Sequence, residues 1–433
     1  MLEKRYILSF ILVTSLFALW GFANDITNPM VAAFQTVMEL SAGKASLIQF
    51  AFYGGYATMA IPAALFVRKY SYKAGILLGL LFYAIGAFLF IPAAAYQQFS
   101  FFCVSLYVLT FGLAFLETTA NPMILSLGSK ENSTRRLNLA QAFNPVGSLC
   151  GMFVASQLVL PRLLSDRRDA AGDILFYGLS ETEKAAIRLH DLSIIRNPYV
   201  TIGLVVLAVC IVFSIARLPD TRPRGKQCST RETLSHLWSN RPYCYGVLAQ
   251  VFYVAAQIMV WTFIIQYAEH LGFDKATAQR NNIIAMLMFL GGRFVSTALM
   301  HYVNSRLMLT LFGVGATVAT LGSILIVGPV GLYCLISISF FMSLMFPSIY
   351  GIAMENVDSN DTTLGAAFLV MAIVGGSIMP PLQGMIIDQE TLFGHPAVNV
   401  SFVLPLLCFI AVTLYGIYTH RLKLKIENFH PDG

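Results

Sequence analysis

The chain has 433 residues, of which 57% are hydrophobic and only 12% charged, with a formal net charge of +6 and a mean hydropathy of +0.69. Soluble domains carry about 25% charged residues, so these values exclude a large soluble protein and predict an all-α polytopic membrane protein. The positive balance does not argue for nucleic acid, because Lys and Arg fall between apolar runs, where they serve as orientation signals in a bilayer.

A membrane-spanning helix needs about 20 apolar residues. Runs of that kind lie at approximately 6–38, 45–67, 73–96, 99–127, 136–161 and 198–218, then at 242–270, 276–301, 306–327, 330–355, 362–388 and 397–420. Twelve transmembrane helices are therefore expected. The opening MLEKRYILSFILVTSLFALW has the basic start and apolar body of a signal peptide. It lacks an A-x-A-like cleavage site and runs on into apolar sequence, so it is expected to remain as the first helix.

The first span contains GFANDITNPM, with Asn24 and Asp25. An ionised side chain at membrane depth costs several kcal/mol and is a functional hypothesis by default. NDITNP is built from turn formers and also suits a loop, whereas the following MVAAFQTVM continues the span. A helix over 6–38 places Asp25 near its centre with a kink at Pro29. In the second span Gln49 and Tyr53 share a face. The fourth carries FLETTANPM, where Glu117 and Asn121 lie one turn apart and Pro122 removes a backbone hydrogen bond. A structural salt bridge is the alternative role for Glu117, but the nearest spans offer no Lys or Arg at that depth.

The fifth span predicts a polar stripe of Asn138, Gln141, Asn144 and Ser148. Beyond it, Ser180 and Glu183 form a capping-box pattern that predicts a short amphipathic helix, packed at the membrane surface or serving as a gate. The polar, basic segment PDTRPRGKQCSTRETLSHLWSNRP then divides the chain into bundles of six spans at 1–218 and 242–433, joined by a linker at 219–241. In the seventh span Gln250, Tyr253, Gln257 and Trp261 repeat the stripe pattern. Arg293 in GGRF is expected to snorkel or to pair with an acid at the rim of span eight. Glu355 and Asp361, flanking the loop between spans ten and eleven, are expected to be solvated or rim partners.

A single amide stripe commonly clasps neighbouring helices. Three stripes with two acids predict a hydrophilic cavity, suited to sugar hydroxyls on the amides and carboxylates and to a sugar ring face on an aromatic. Six-plus-six plans place their solute site between the halves near the midplane. The seven cysteines form no CxxC and read as packing residues. There is no metal-ligand spacing, phosphate loop or Ser-His-Asp arrangement, so no enzyme, metal or cofactor is expected. About 19 of the 28 Lys and Arg fall on one side of the span pattern, which predicts both termini in the cytoplasm.

The stretches LFALWGFANDI, SLIQFAFYGGY, IPAALFVRKYSYKAGILLGLLFYAIGAFLFIPAA, FLETTANPM, RLNLAQAFN, LAQVFYVAAQ, MFPSIY and FLVMAIVGGSIMPP cover nearly the whole chain. Together they resemble the fucose/galactose/glucose:proton symporter family of the major facilitator superfamily. The resemblance implies the major facilitator fold and proton-driven uptake of a monosaccharide, L-fucose first, across a bacterial inner membrane by alternating access. A monomer in the lipid bilayer is expected, with sugar and proton as its partners. The family's paired acids map onto Asp25, implied as the main proton carrier, and Glu117, implied to join sugar recognition to protonation. Its polar residues on span five map onto Gln141 and Asn144. The family's fucose carriers have an amide-rich run where this chain has Gly21, Phe22 and Ala23, so the identity of the sugar stays open. A sodium-coupled or uncoupled hexose carrier and a drug:proton antiporter are the alternatives.

Overall fold

A computed structural model describes residues 6–40, 47–167, 174–219, 229–273, 275–355, 357–389, 391–392 and 394–429. Among them, twelve helical segments are long and apolar enough to cross a membrane, in the order the hydropathy predicts. The first is a single helix, α1 (Ile7–Val37), of 31 residues, about 46 Å at 1.5 Å per residue. The loop alternative for NDITNP therefore gives way to helix, because the apolar residues on both sides continue one buried face through Ala23, Ile26, Met30 and Phe34.

The next spans are α2 (Leu47–Lys69), α3 (Tyr72–Phe88) with its short continuation α4 (Phe90–Tyr96), and α5 (Phe99–Ser126). The fifth span is not one helix. It is α6 (Ser133–Gln141) and α7 (Asn144–Phe153), followed by a π turn at Val154–Val159. Pro145 occupies the first turn of α7, where its missing N–H removes nothing, so the break falls just before it. The backbone stays right-handed helical through Ala142 and Phe143, so Gln141, which ends α6, and Asn144, which opens α7, remain on adjoining turns.

The sixth span departs from the sequence reading more strongly. Ser180 does cap a helix, its backbone N–H donating to Glu183 Oε2 at 3.0 Å. That helix, α8 (Glu181–Ile215), then continues for 35 residues through Pro198. No separate surface helix forms, because Leu192, Ile195 and Tyr199 bury a face continuous with Ile202 and Val206.

The remaining helices are α9 (Thr230–Ser239), α10 (Arg241–His270), α11 (Lys275–Leu299), α12 (Ser305–Leu325), α13 (Pro329–Met342), α14 (Met345–Glu355), α15 (Thr362–Met371), α16 (Gly375–Ile387), α17 (Ala397–Ser401) and α18 (Val403–Phe429). The described strands are β1 (Thr391–Leu392) and β2 (His395–Pro396), paired antiparallel with Thr391 opposite Pro396.

The chain resolves into two compact units. One comprises residues 11–120 and 143–220. Its helices approach through small residues, as bilayer packing requires when burial of apolar surface supplies no drive. A Cβ on Gly147 would lie 1.8 Å from the Ala18 carbonyl oxygen, and one on Gly21 would lie 2.0 Å from that of Asn144. These two glycines let α1 and α7 touch backbone to backbone. At the end of α1, Lys184 Nζ binds Glu39 Oε1 at 2.8 Å, and Arg188 Nε donates to the Val37 carbonyl at 3.1 Å. A cation there complements the negative end of the helix dipole.

The other unit comprises residues 1–10, 121–142 and 221–433. Asn399 Nδ2 donates to Tyr267 Oη at 2.8 Å and to the Ser323 carbonyl at 2.9 Å, tying α17, α10 and α12. Arg306 donates to Glu355, which makes Glu355 an ion-pair partner as expected. Asp361 is only 2% exposed, so it is not the solvated loop acid that the sequence also allowed.

Candidate functional site

In the unit of residues 11–120 and 143–220, both intramembrane acids are buried. Asp25 is 9% exposed and Glu117 is 4% exposed. Asp25 of α1 is an electrostatic neighbour of Tyr53 on α2. Glu117 of α5 is likewise an electrostatic neighbour of Tyr56, one turn along α2. Trp20 of α1 completes this group by donating its indole N–H to Tyr56 Oη at 2.7 Å. Thus an indole–phenol hydrogen bond joins α1 to α2, and the two acids are electrostatic neighbours of the two phenols.

Glu117 Oε2 is inaccessible to solvent and has no hydrogen-bond partner, and the same is true of Asn24 Oδ1. Leaving a buried polar atom unpaired costs about 1–3 kcal/mol, and more for a charged one. A proton on the carboxyl, or a hydroxyl donated by a ligand, relieves that cost. Burial therefore makes Glu117 suited to exchange between these two partners.

The two polar groups on α7 are engaged with α1. Asn144 Nδ2 donates to the Phe17 carbonyl at 3.3 Å, and Ser148 Oγ to the Gly21 carbonyl at 3.4 Å. Here the amide stripe clasps helices. The departure at Gly21 has the same origin, since the backbone of Asn144 occupies the space that a side chain there would need. The side chain of Gln49 lies outside the described residues, and Tyr53 is half-buried.

A second polar group is built in the other unit. Gln141 Nε2 donates to Asn121 Oδ1 at 3.0 Å. Arg293, on α11, donates to the Gln141 backbone carbonyl at 3.2 Å and to Gln141 Oε1 at 3.4 Å. Its guanidinium lies 4.9 Å from the centre of the Phe289 ring, a cation–π geometry. Arg293 is only 3% exposed, so the expectation of snorkelling is corrected: hydrogen bonds to an amide and an aromatic face hold the charge inside. Phe289 in turn packs edge-to-face with Trp261 at 5.0 Å, and the Trp261 indole donates to Ser339 Oγ at 3.3 Å.

On α10, Gln250 is fully buried and neither its amide nitrogen nor its oxygen has a hydrogen-bond partner. The Tyr253 hydroxyl donates to the Met342 carbonyl at 3.1 Å, which leaves its oxygen able to accept, while Gln257 is half-buried. Asn121 keeps Nδ2 unpaired, as Arg293 keeps Nε. Asn138 turns away to the Thr134 carbonyl and to Ser348 Oγ.

Sequence reasoning missed Trp20, Tyr56, Phe289, Ser339 and the role of Arg293. Arg293 did carry a signal, since an intramembrane base is as informative as an intramembrane acid. The aromatics carried none in a chain with 33 Phe and 19 Tyr.

A model of the Major Facilitator Superfamily matches residues 10–380. The chain belongs to the Major Facilitator Superfamily. Among curated members, it is 62% identical to a protein of Haemophilus influenzae named L-fucose-proton symporter, over 96% of this chain and 97% of that one. It is 34% identical to the L-fucose-proton symporter of Escherichia coli K12, over 96% and 93%. A glucose/galactose transporter of Brucella abortus is 28% identical over 96% and 95%. Among solved structures, the superfamily transporter FucP in its outward conformation matches with a TM-score of 0.86 and 33% identity, covering 96% of this chain and 99% of that one. The proton:xylose symporter XylE, at 14% identity and a TM-score of 0.71, shares the fold. This superfamily member is a twelve-span membrane transporter rather than an enzyme.

Proposed function

We propose that this transporter imports a monosaccharide, L-fucose first, together with a proton by alternating access. The observation that carries the reading is the 62% identity, over nearly the full length of both chains, to the Haemophilus relative named L-fucose-proton symporter. The proposed location is a bacterial inner membrane with both termini cytoplasmic, which the Lys and Arg distribution supports. Residues 1–218 and 242–433 are the two six-helix halves, joined by 219–241, and the carrier works as a monomer.

Asp25 takes up and releases the coupled proton, and Glu117 links protonation to sugar binding. Asn24, Gln49, Tyr53, Asn121, Gln141, Asn144, Gln250, Tyr253, Gln257 and Trp261 supply the sugar contacts. The unpaired polar atoms of Glu117, Asn24, Asn121 and Gln250 support these roles, because a polyhydroxylated ring both donates and accepts. A carboxyl group taken out of water holds its proton more tightly, and rehydration on the other side of the membrane loosens it. One charge crossing about 150 mV supplies roughly 3.5 kcal/mol. At 1.36 kcal/mol per decade, that supports accumulation of a few hundredfold.

The test is sugar addition to lightly buffered, de-energised cells expressing the chain, with external pH recorded. L-fucose should alkalinise the medium. Uptake without alkalinisation overturns proton coupling and points to a sodium-coupled or uncoupled carrier. A thermal-shift screen of L-fucose, D-galactose, D-glucose and N-acetylglucosamine identifies the sugar. Stabilisation by apolar cationic drugs and by no sugar would instead assign a drug:proton antiporter.

A further inference from the structure

Away from these residues, α9 lays its last turn against the 3-10 turn at Ser359–Asp361 that precedes α15. Leu237 is buried, and Trp238 meets Phe368 edge-to-face at 5.7 Å. This packing brings His236 to Asp361, with Nδ1 and Oδ2 3.1 Å apart. Asp358 completes the group, and ligand atoms of all three residues lie within 4.8 Å of one another. It is the one such His/Cys/Asp/Glu trio among the described residues.

One further observation points to a ligand. Asp361 is 2% exposed, and its Oδ1 is inaccessible to solvent and without a hydrogen-bond partner. A buried carboxylate satisfied on one oxygen only is costly to keep. Asp358 occupies the N-cap of the 3-10 turn, yet its side chain makes no capping hydrogen bond. Its carboxylate is exposed and lies within 4.8 Å of the other two ligand atoms.

We propose that His236, Asp358 and Asp361 form a binding site for a divalent transition-metal ion of the zinc type. One imidazole and two carboxylates suit Zn²⁺ or Co²⁺ better than Mg²⁺ or Ca²⁺, which favour all-oxygen ligand sets. Metal–ligand bonds of about 2.0–2.2 Å require the trio to draw in by roughly 1–2 Å, a movement that the exposed side chains of Asp358 and His236 permit. An ion bound at Nδ1 displaces the hydrogen bond to Asp361, and the neutral imidazole then carries its proton on Nε2. Three protein ligands leave a position for water. The consequence is a staple that fastens α9 to the turn before α15.

The test uses the full-length protein in detergent, with any affinity tag removed and stripped by EDTA, titrated with Co²⁺ and followed by visible d–d absorption. One equivalent should bind with the intensity of a four- or five-coordinate centre and be displaced by Zn²⁺. His236→Gln and Asp358→Asn, both at exposed positions, should weaken binding at least tenfold, and Zn²⁺ should raise the Tm of the parent but not of either variant. His301→Gln, at a histidine outside the trio, should bind like the parent. Absence of a d–d signal, or a signal unchanged in both trio variants, overturns the site.

Discussion

The indole N–H of Trp20 meets the hydroxyl of Tyr56 at 2.7 Å inside the helix bundle, and Glu117 is an electrostatic neighbour of that same phenol. Since the Tyr56 oxygen accepts from Trp20, its own proton is free to be directed elsewhere. Tyr56→Phe removes the acceptor and leaves a buried indole N–H unpaired, a cost of about 1–3 kcal/mol. Tm should fall by several degrees, and the pH dependence of sugar affinity should change because the acid has lost its phenol neighbour. Trp20→Phe also removes the bond but leaves Tyr56 in place. It should lower Tm less and leave the pH profile closer to the parent's. Identical pH profiles for Tyr56→Phe and parent would separate the phenol from Glu117.

The two acids should fail differently. Asp25→Asn is expected to reduce sugar accumulation from a few hundredfold, the limit set by about 3.5 kcal/mol, to equality across the membrane. Counterflow exchange of labelled sugar should persist in that variant. Glu117→Gln should instead weaken sugar binding and flatten its dependence between pH 5 and 8. Full accumulation by Asp25→Asn would refute the proton-carrier role. Unaltered affinity and pH dependence in Glu117→Gln would remove the proposed link between sugar and proton.

The span count was legible because hydropathy reports directly on which segments cross a bilayer, and Asp25 and Glu117 stood out as charges where lipid tolerates none. Local patterns could not give the partition of polar contacts. Asn138, Gln141 and Asn144 share one spacing in the sequence, yet Gln141 donates to Asn121 and Asn144 to the Phe17 carbonyl. The capping box at Ser180 marked a true helix start. Its length escaped because the amphipathic turns and the apolar span beyond Pro198 carry different patterns while sharing one buried face. His236 and Asp361, 125 residues apart, meet only through the packing of α9, so no spacing rule could pair them.

Arg293 should not tolerate replacement by the other long cation. One terminal nitrogen, Nη1, reaches both oxygens of Gln141 while the guanidinium lies on Phe289, and lysine cannot hold that reach and stack a planar group on the ring at once. Arg293→Lys is expected to raise the Kd for sugar about tenfold, equivalent to 1.36 kcal/mol, through misplacement of Gln141. Isothermal titration of the purified variant measures this directly. Parent-like affinity would mean that Arg293 serves the packing of α11 without positioning Gln141.

Gly21 and Gly291 offer a matched pair for the packing argument. A methyl group on Gly21 would meet the Asn144 carbonyl oxygen at 2.0 Å and the Ser148 backbone nitrogen at 2.9 Å, whereas one on Gly291 has nothing within 4 Å. Backbone atoms cannot rotate aside, so Gly21→Ala must separate α1 from α7 and lose the bonds from Asn144 and Ser148. Overpacking of this kind costs about 1–3 kcal/mol or more. Gly291→Ala should gain up to about 1 kcal/mol from helix propensity. Folded yield after detergent extraction should therefore drop for Gly21→Ala and hold or rise for Gly291→Ala. Because α1 also carries Asp25, any Gly21→Ala protein that does fold should show weaker proton coupling than Gly291→Ala. Equal yields and equal coupling would mean that α1 and α7 are not held at backbone contact.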